Sequence, residues 1–347
     1  MKRIGNLYEK IISIENLNLA DEKARKGKTH SYGVQLHDRN REANIAALHE
    51  VLKRREYKTS EYCIFTIREP KERLIYRLPY FPDRIVHHAV MNILEDIWVS
   101  IFTQDTFSCI KERGINRCME RVDEALKDKE GTRYCLKLDI RKFYPSIDHE
   151  VMKRIIRRKI KCKDTLNLLD EIIDSAEGLP IGNYLSQYLA NLYLAYFDHW
   201  VKEQKRVRYY FRYADDMVIL AKTKDELHKL FEEIRQYMNE ELLLEIKDNW
   251  QVFPIAENRY DKTGRGLDFV GFVFYHRQKL IRKSTKKNLC RTASRLARLD
   301  PPLSRHGFKM GIASWLGWCK YSDSRNLLKK LFNLHENGKL QRKTKCV

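Results

Sequence analysis

Proline is sparse, with 8 among 347 residues, while 43% of the chain is apolar. Such a chain can bury enough surface to fold, which excludes a largely disordered protein. Uninterrupted apolar runs are also missing. None approaches the roughly 20 residues a spanning helix needs, so no membrane partner is expected. The opening Met1-Lys2-Arg3-Ile4-Gly5-Asn6 lacks the apolar stretch of a secretory signal. The eight cysteines (Cys63, Cys109, Cys118, Cys135, Cys162, Cys290, Cys319, Cys346) contain no Cys-x-x-Cys pair. Neither a zinc site nor a disulfide framework is signalled, and reduced thiols in a cytoplasmic protein are expected.

Acid is scarce where base is plentiful. Between His276 and Val347 there are 19 Lys and Arg against 3 Asp and Glu, which leaves only +4 of the net +20 for the first 275 residues. A basic segment interleaved with Trp315, Trp318 and Tyr321 is the footprint of a nucleic-acid binder. Lys283, Lys286, Lys287 and Arg291 are its candidate phosphate contacts.

Residues 1–50 read as polar helices around a loop at Gly27-Lys28-Thr29. Residues 60–80 read as a hairpin with a charged turn, followed by a helix from Pro82-Asp83 to about Trp98. Arg133 to Ile140 alternates like a half-buried strand that ends on Asp139, and Asp148 is a plausible N-cap for the next helix. Tyr184 to Lys205 reads as one long apolar helix. Two short β-rich runs, Tyr209–Tyr213 and Met217–Leu220, flank Ala214-Asp215-Asp216. Thr223 to Glu226 is a capping box, and Gly266 to Tyr275 is a second hairpin-like run. Hairpins and helices mix without regular strand–helix–strand alternation or any internal repeat, which points to an α+β fold.

Phosphoryl transfer to a 3′-hydroxyl calls for two Mg²⁺ ions roughly 3.5–4 Å apart. Mg²⁺ takes oxygen ligands and keeps waters and substrate phosphates, so two or three carboxylates suffice. If the strands bearing Asp139, Asp215 and Asp216 are neighbours, those acids meet at one sheet edge. An Asp-Asp pair alone is also an ordinary hairpin turn.

The surrounding motifs decide between these readings. Tyr213-Ala214-Asp215-Asp216 resembles the Tyr-x-Asp-Asp signature of reverse transcriptases, and the resemblance runs from about Arg68 to Tyr321. Asp139-Ile140-Arg141-Lys142-Phe143-Tyr144 is similar to the first palm motif of that family. Leu179-Pro180-Ile181-Gly182-Asn183-Tyr184-Leu185-Ser186-Gln187, then Leu189-Ala190-Asn191, resemble the motif between the two. Leu243–Lys247, Gly266–Phe272 and Ser314–Trp318 resemble a further lysine motif, the primer-grip hairpin and a thumb helix.

The resemblance implies a right-hand polymerase. Residues 1–50 would be an N-terminal helical extension, 51–275 the fingers and palm, and 276–347 a basic helical thumb. It implies RNA-directed DNA polymerase activity with Asp139, Asp215 and Asp216 catalytic. Those three and the Ile140 carbonyl would face two Mg²⁺ ions. Tyr144 would exclude a 2′-hydroxyl, and Arg73, Arg77 or Lys71 would grip the triphosphate. Ile181, Gly182 and Gln187 would border the nucleotide, and Lys247 would protonate pyrophosphate. Phe269, Val270, Gly271 and Phe272 would form the primer grip. His87 and His88 read as structural or RNA-facing.

Most of the superfamily has glutamine before the middle-motif glycine and proline after its serine. Ile181 and Gln187 stand there in this chain, as in the reverse transcriptases of diversity-generating retroelements, of bacterial or phage origin. That resemblance implies error-prone copying of a template-repeat RNA for mutagenic retrohoming, with no endonuclease, protease or ribonuclease H segment after the thumb. Expected partners are template RNA, the RNA–cDNA hybrid, deoxynucleotides and a small basic accessory protein. The alternatives are another bacterial reverse transcriptase, of retron, phage-defence or intron type, or a non-catalytic RNA-binding subunit.

Overall fold

A computed structural model describes residues 3–68, 72–299, 301 and 303–343. Lys71 lies outside the described residues. The chain forms two compact units: residues 1–117, 138–217 and 229–250 in the first, and 118–137, 218–228 and 251–347 in the second. Distant stretches of sequence return to each unit.

In the first unit four helices, α1 (Tyr8–Ile12), α2 (Ile14–Arg25), α3 (Tyr32–Asp38) and α4 (Arg41–Lys53), precede a hairpin. Ser13 caps α2 by accepting the Asn16 N–H at 3.2 Å. The hairpin pairs β1 (Cys63–Ile67) with β2 (Arg73–Arg77), Phe65 opposite Ile75. The expected helix follows as α5 (Ile85–Val99), on which α2 packs. The Asn16 amide donates to the carbonyls of Ile11 and Ala89 at 2.8 and 3.0 Å, fixing that packing with satisfied buried polar groups.

One sheet positions the candidate site. Its strands are β3 (Thr106–Phe107), β4 (Tyr134–Asp139), β5 (Tyr209–Tyr213), β6 (Asp216–Ala221) and β7 (Gln251–Pro254), in the order β3-β5-β6-β4-β7. The order is mixed, with β3 parallel to β5 and β4 antiparallel to β7, and the fold is α+β as expected. The half-buried reading of β4 holds: Leu136 and Leu138 are buried on one face, while Lys137 and Asp139 on the other stay partly exposed beside the buried Cys135. The helix α6 (Ile115–Ala125) precedes β4. After β4, Asp148 caps α7 (His149–Arg157) by accepting the Val151 N–H at 2.9 Å. The helix α8 (Lys163–Ile173) comes next.

The single helix expected over 184–205 is instead α9 (Tyr184–Tyr193), α10 (Ala195–His199) and a wider turn, Trp200–Gln204. No glycine or proline marks the break at Leu194, so the apolar run hides it. The Thr223 hydroxyl accepts the Glu226 N–H at 3.3 Å at the start of α11 (Lys224–Leu242).

In the second unit β8 (Leu267–Phe269), β9 (Phe272–Phe274) and β10 (Lys279–Ile281) form a three-stranded antiparallel sheet. The helices α12 (Lys283–Ala297), α13 (Arg305–Gly311), α14 (Ala313–Lys320) and α15 (Arg325–Lys343) follow. Leu289, Ala293, Phe308 and Ile312 form their core with Ile281. The β8–β9 turn is Val270-Gly271, both at positive φ (42° and 86°), a conformation suited to a two-residue hairpin but strained at a β-branched residue. A Cβ on Gly271 would stand 2.3 Å from the Trp318 ring, so glycine meets both a backbone and a packing demand there. Gly271→Ala is expected to lower the thermal midpoint, by about 1–3 kcal/mol of stability, as overpacking at a tight contact does. A thermal melt equal to the parent's would show that Trp318 yields.

Candidate active site

Asp139 ends β4 and Asp215 occupies the turn before β6, the strand beside β4. The two carboxyls stand close enough to interact. Burial, then the charge of Asp139, pushes the Asp215 carboxyl up to about 6. The Oδ1 of Asp139 is buried without a hydrogen-bond partner among the described residues. Its other oxygen, Oδ2, accepts from the Lys247 ammonium, and the Lys247 N–H donates to the Asp139 carbonyl at 2.9 Å. Two acceptors facing one another with too few donors fit a divalent cation.

The expected third carboxylate directly follows Asp215 in the chain. Asp216 is the first residue of β6. Among the described residues no three His, Cys, Asp or Glu side chains gather as they would around one metal ion. Ile140 is buried and bridges Ile246, fixing the backbone beyond Asp139.

A turn and a loop complete the wall. Burial pushes the Tyr144 phenol up to about 12, with Cys109 and then the Asp215 charge adding to it and Arg73 opposing. Tyr144 is therefore within electrostatic reach of both Asp215 and Arg73. The Leu179 N–H donates to the Tyr144 carbonyl at 2.8 Å, and the Tyr76 N–H donates to the Ile181 carbonyl at 2.8 Å. The middle-motif loop is thus tied to the Tyr144 turn at one end and to β2 at the other. Gly182 has φ +123°, and a Cβ there would lie 2.7 Å from the Tyr76 carbonyl oxygen. Only glycine lets the loop approach the hairpin this closely.

Arg73 and Arg77 separate. Arg73 acts on Tyr144, whereas the Arg77 guanidinium lies 5.9 Å over the Phe65 ring on its own hairpin. Gln187 is exposed and, with Gly182, borders a cavity of about 260 Å³. Lys23, Lys26, Lys28, Arg84 and His88 are among its other polar walls, and among the described residues no acidic side chain lines it. Burial, then Lys28, Arg84 and Lys23, pushes His88 down to about 4, and its ring stacks on Tyr184 at 4.3 Å. His87 is buried and held at about 4 mainly by burial, so both rings are neutral near pH 7.

In the second unit the expected primer-grip residues, 269–272, span the β8–β9 turn. Phe269 and Phe272 are buried, Phe272 against Trp318 at 5.2 Å, because alternate residues of this hairpin form the unit's core. Gly271 is buried as well, and Val270 is half-buried at the turn. Lys283, Lys286, Lys287 and Arg291 are exposed on α12, while Leu289, Ala293 and Ala297 face the core. Lys283 and Lys286 also line a groove of about 880 Å³ with Arg259, Lys329, Lys330 and Asp323.

One cluster escaped the sequence reading. Arg212 on β5 and Asp198 on α10 are fully buried and paired at 2.6 Å. The signal was an arginine inside Tyr209–Tyr213 and an aspartate inside an apolar helix, each out of place unless paired.

Comparison with known proteins bears on these residues. The family described as "Reverse transcriptase (RNA-dependent DNA polymerase)" matches residues 68–251, more than half of the 347. Protein YkfC of Escherichia coli is 25% identical over 62% of this chain and 65% of its own length. The group II intron-encoded protein LtrA of Lactococcus lactis subsp. cremoris is 26% identical over 37% of this chain and 23% of its own. The chain therefore spans less than two thirds of either curated relative. Among solved structures it is similar to apo telomerase from Candida tropicalis truncated from its C-terminal domain, at 13% identity. That match covers 65% of this chain and 55% of the telomerase chain, with a TM-score of 0.49.

The raised Asp215 carboxyl makes a prediction about stability without metal. A group whose value is raised by folding stabilises below its ordinary 3.8 and loses that stability as pH rises through about 6. Metal-free Asp215→Asn is therefore expected to melt about 2–4 °C higher than the parent near pH 7.5. The difference should fade as pH falls towards 4. A variant that melts lower at pH 7.5 would refute the repulsion.

Proposed function

The chain belongs to the reverse transcriptase family and has its right-hand polymerase fold, and on that premise we propose that it copies RNA into DNA. The observation that carries the reading is the Asp139–Asp215 pair, two carboxyl groups held together without enough donors. Two Mg²⁺ ions held there, with the Ile140 carbonyl and Asp216 as further contacts, would activate the primer 3′-hydroxyl and neutralise charge on the triphosphate. Asp139 and Asp215, at the ends of neighbouring strands, would present their oxygens to the ions with little reorganisation as charge develops.

The other residues take roles that their positions suit. Tyr144, beside Asp215, would lie under the sugar and reject a 2′-hydroxyl. Arg73 would hold the triphosphate, since guanidinium suits phosphate oxygens. Lys247 would give a proton to pyrophosphate. The cavity of Lys23, Lys28 and Arg84 beside Gly182 and Gln187 would take a template phosphate. The basic α12 face would follow the hybrid backbone, and the Val270-Gly271 turn would bear on the primer. Residues 1–50, 51–275 and 276–347 would then act as extension, fingers with palm, and thumb.

Within the family we propose the enzyme of a diversity-generating retroelement. It would make error-prone cDNA from a template-repeat RNA, helped by a small basic accessory protein. The support is Ile181 and Gln187 in place of the usual glutamine and proline. The Ile181 side chain has no donor or acceptor, and its backbone is already committed to β2. Discrimination at the incoming nucleotide would then rest on base pairing and shape, and an adenine template makes the weaker pair. The similarity to a group II intron-encoded protein favours a second reading, an intron-type reverse transcriptase.

Asp139→Asn is expected to cut primer extension on RNA at least about a thousandfold while the protein stays folded, as loss of a metal ligand does. Extension near the parent rate would remove the assignment.

Sequencing cDNA made on a defined RNA tests the finer reading. The parent should err most opposite adenine. Ile181→Gln, which can restore a polar contact worth about 1–3 kcal/mol, should lower those errors relative to others. A parent already accurate at adenine favours the intron-type reading instead.

A further inference from the structure

Arg212 uses its whole guanidinium. Nε and Nη2 donate to the two oxygens of Asp198 at 2.8 and 2.6 Å, a bidentate fork. Nη1 donates to the Asn191 side-chain oxygen at 3.2 Å and Nη2 to the Asn191 carbonyl at 3.4 Å. The remaining Nη1 bond, at 2.9 Å, goes to the carbonyl of Ala214. Asp198 is filled from its other side by the Tyr210 hydroxyl at 2.5 Å and the Thr106 hydroxyl at 2.7 Å. Asn191 in turn donates to the Ser108 carbonyl at 2.9 Å.

The Ala214 bond distinguishes this cluster from an ordinary buried ion pair. Ala214 has φ +54°, a left-handed conformation that an alanine seldom adopts, and it immediately precedes Asp215. Its N–H reaches the Phe107 carbonyl at 3.4 Å, a long bond that holds it weakly. Burying an arginine and an aspartate costs desolvation that apolar residues of the same volume would avoid. What apolar residues could not supply is a donor fixed in direction at the Ala214 carbonyl. The fork on Asp198 sets the plane of the guanidinium, and that plane aims Nη1.

We propose that Arg212, oriented by Asp198, is a positioning residue that holds the Ala214 turn and so sets the Asp215 carboxylate against Asp139. This rests on the polymerase reading of the same site. The guanidinium touches neither substrate nor reacting atoms. Its effect passes through one backbone carbonyl to the next side chain, so it should appear in cation affinity and kcat rather than in primer–template binding.

The test uses the full chain and the double variant Arg212→Met/Asp198→Asn, which removes both charges together and leaves none unpaired. Three readouts are compared with the parent: the thermal midpoint, Mn²⁺ affinity by electron paramagnetic resonance, and kcat and KM for extension of a DNA primer on RNA. The expected result is a melting point within a few degrees of the parent, Mn²⁺ bound about fivefold more weakly, kcat down about thirtyfold and KM little changed. Arg212→Lys keeps a charge against Asp198 but cannot fork onto Asp198 and reach Ala214 together. It should show the same split, and it carries the test if the double variant does not fold. Parent-like Mn²⁺ affinity and kcat in a folded variant would overturn the proposal. So would a kcat loss that follows the melting point alone with Mn²⁺ affinity unchanged. A parent that binds Mn²⁺ but extends no primer would count against the polymerase reading, and the Mn²⁺ comparison would still judge the role of Arg212.

Discussion

Two like charges must be kept together. Asp139 and Asp215 repel, and burial adds to the cost of ionising them, which is why the Asp215 carboxyl is pushed up to about 6. Left to themselves, the two strand ends would relax apart. The surrounding structure resists this with hydrogen bonds from other elements. Lys247 bonds Asp139 through both its ammonium and its backbone. Arg212 fastens the turn on the other side. Strain and mutual repulsion persist at a site only when the scaffold over-determines it.

The same logic extends outward through backbone hydrogen bonds. The middle-motif loop is tied to the Tyr144 turn by Leu179 and to β2 through the Ile181 carbonyl, so the wall around Asp215 does not depend on side-chain packing alone. Gly182 permits the second tie because no Cβ intrudes on the Tyr76 carbonyl. A position such as Ile181 can therefore change its side chain while its backbone role is unchanged. That separation leaves the side chain free to vary on a fixed frame.

The second unit shows division of labour within one helix. α12 buries Leu289, Ala293 and Ala297 and turns Lys283, Lys286, Lys287 and Arg291 to solvent. Packing anchors the helix, and the anchored helix presents charge at fixed spacing. The adjoining hairpin is turned inward, with Phe269, Gly271 and Phe272 all buried.

The α+β class, the hairpin at β1–β2, the Asp148 and Thr223 caps and the basic α12 were legible from the sequence, because each rests on local periodicity or turn chemistry. The break at Leu194 was not, since no glycine or proline marks it. The sequence by itself determined which acids could serve and in what order along the chain. Tertiary structure decided that Asp139 and Asp215 pair, that Arg73 rather than Arg77 acts on Tyr144, and that Arg212 finds Asp198 and the Ala214 carbonyl. Those are encounters between groups from 2 to more than 70 residues apart. Their energy depends on distance and burial, and neither quantity exists until the chain has folded.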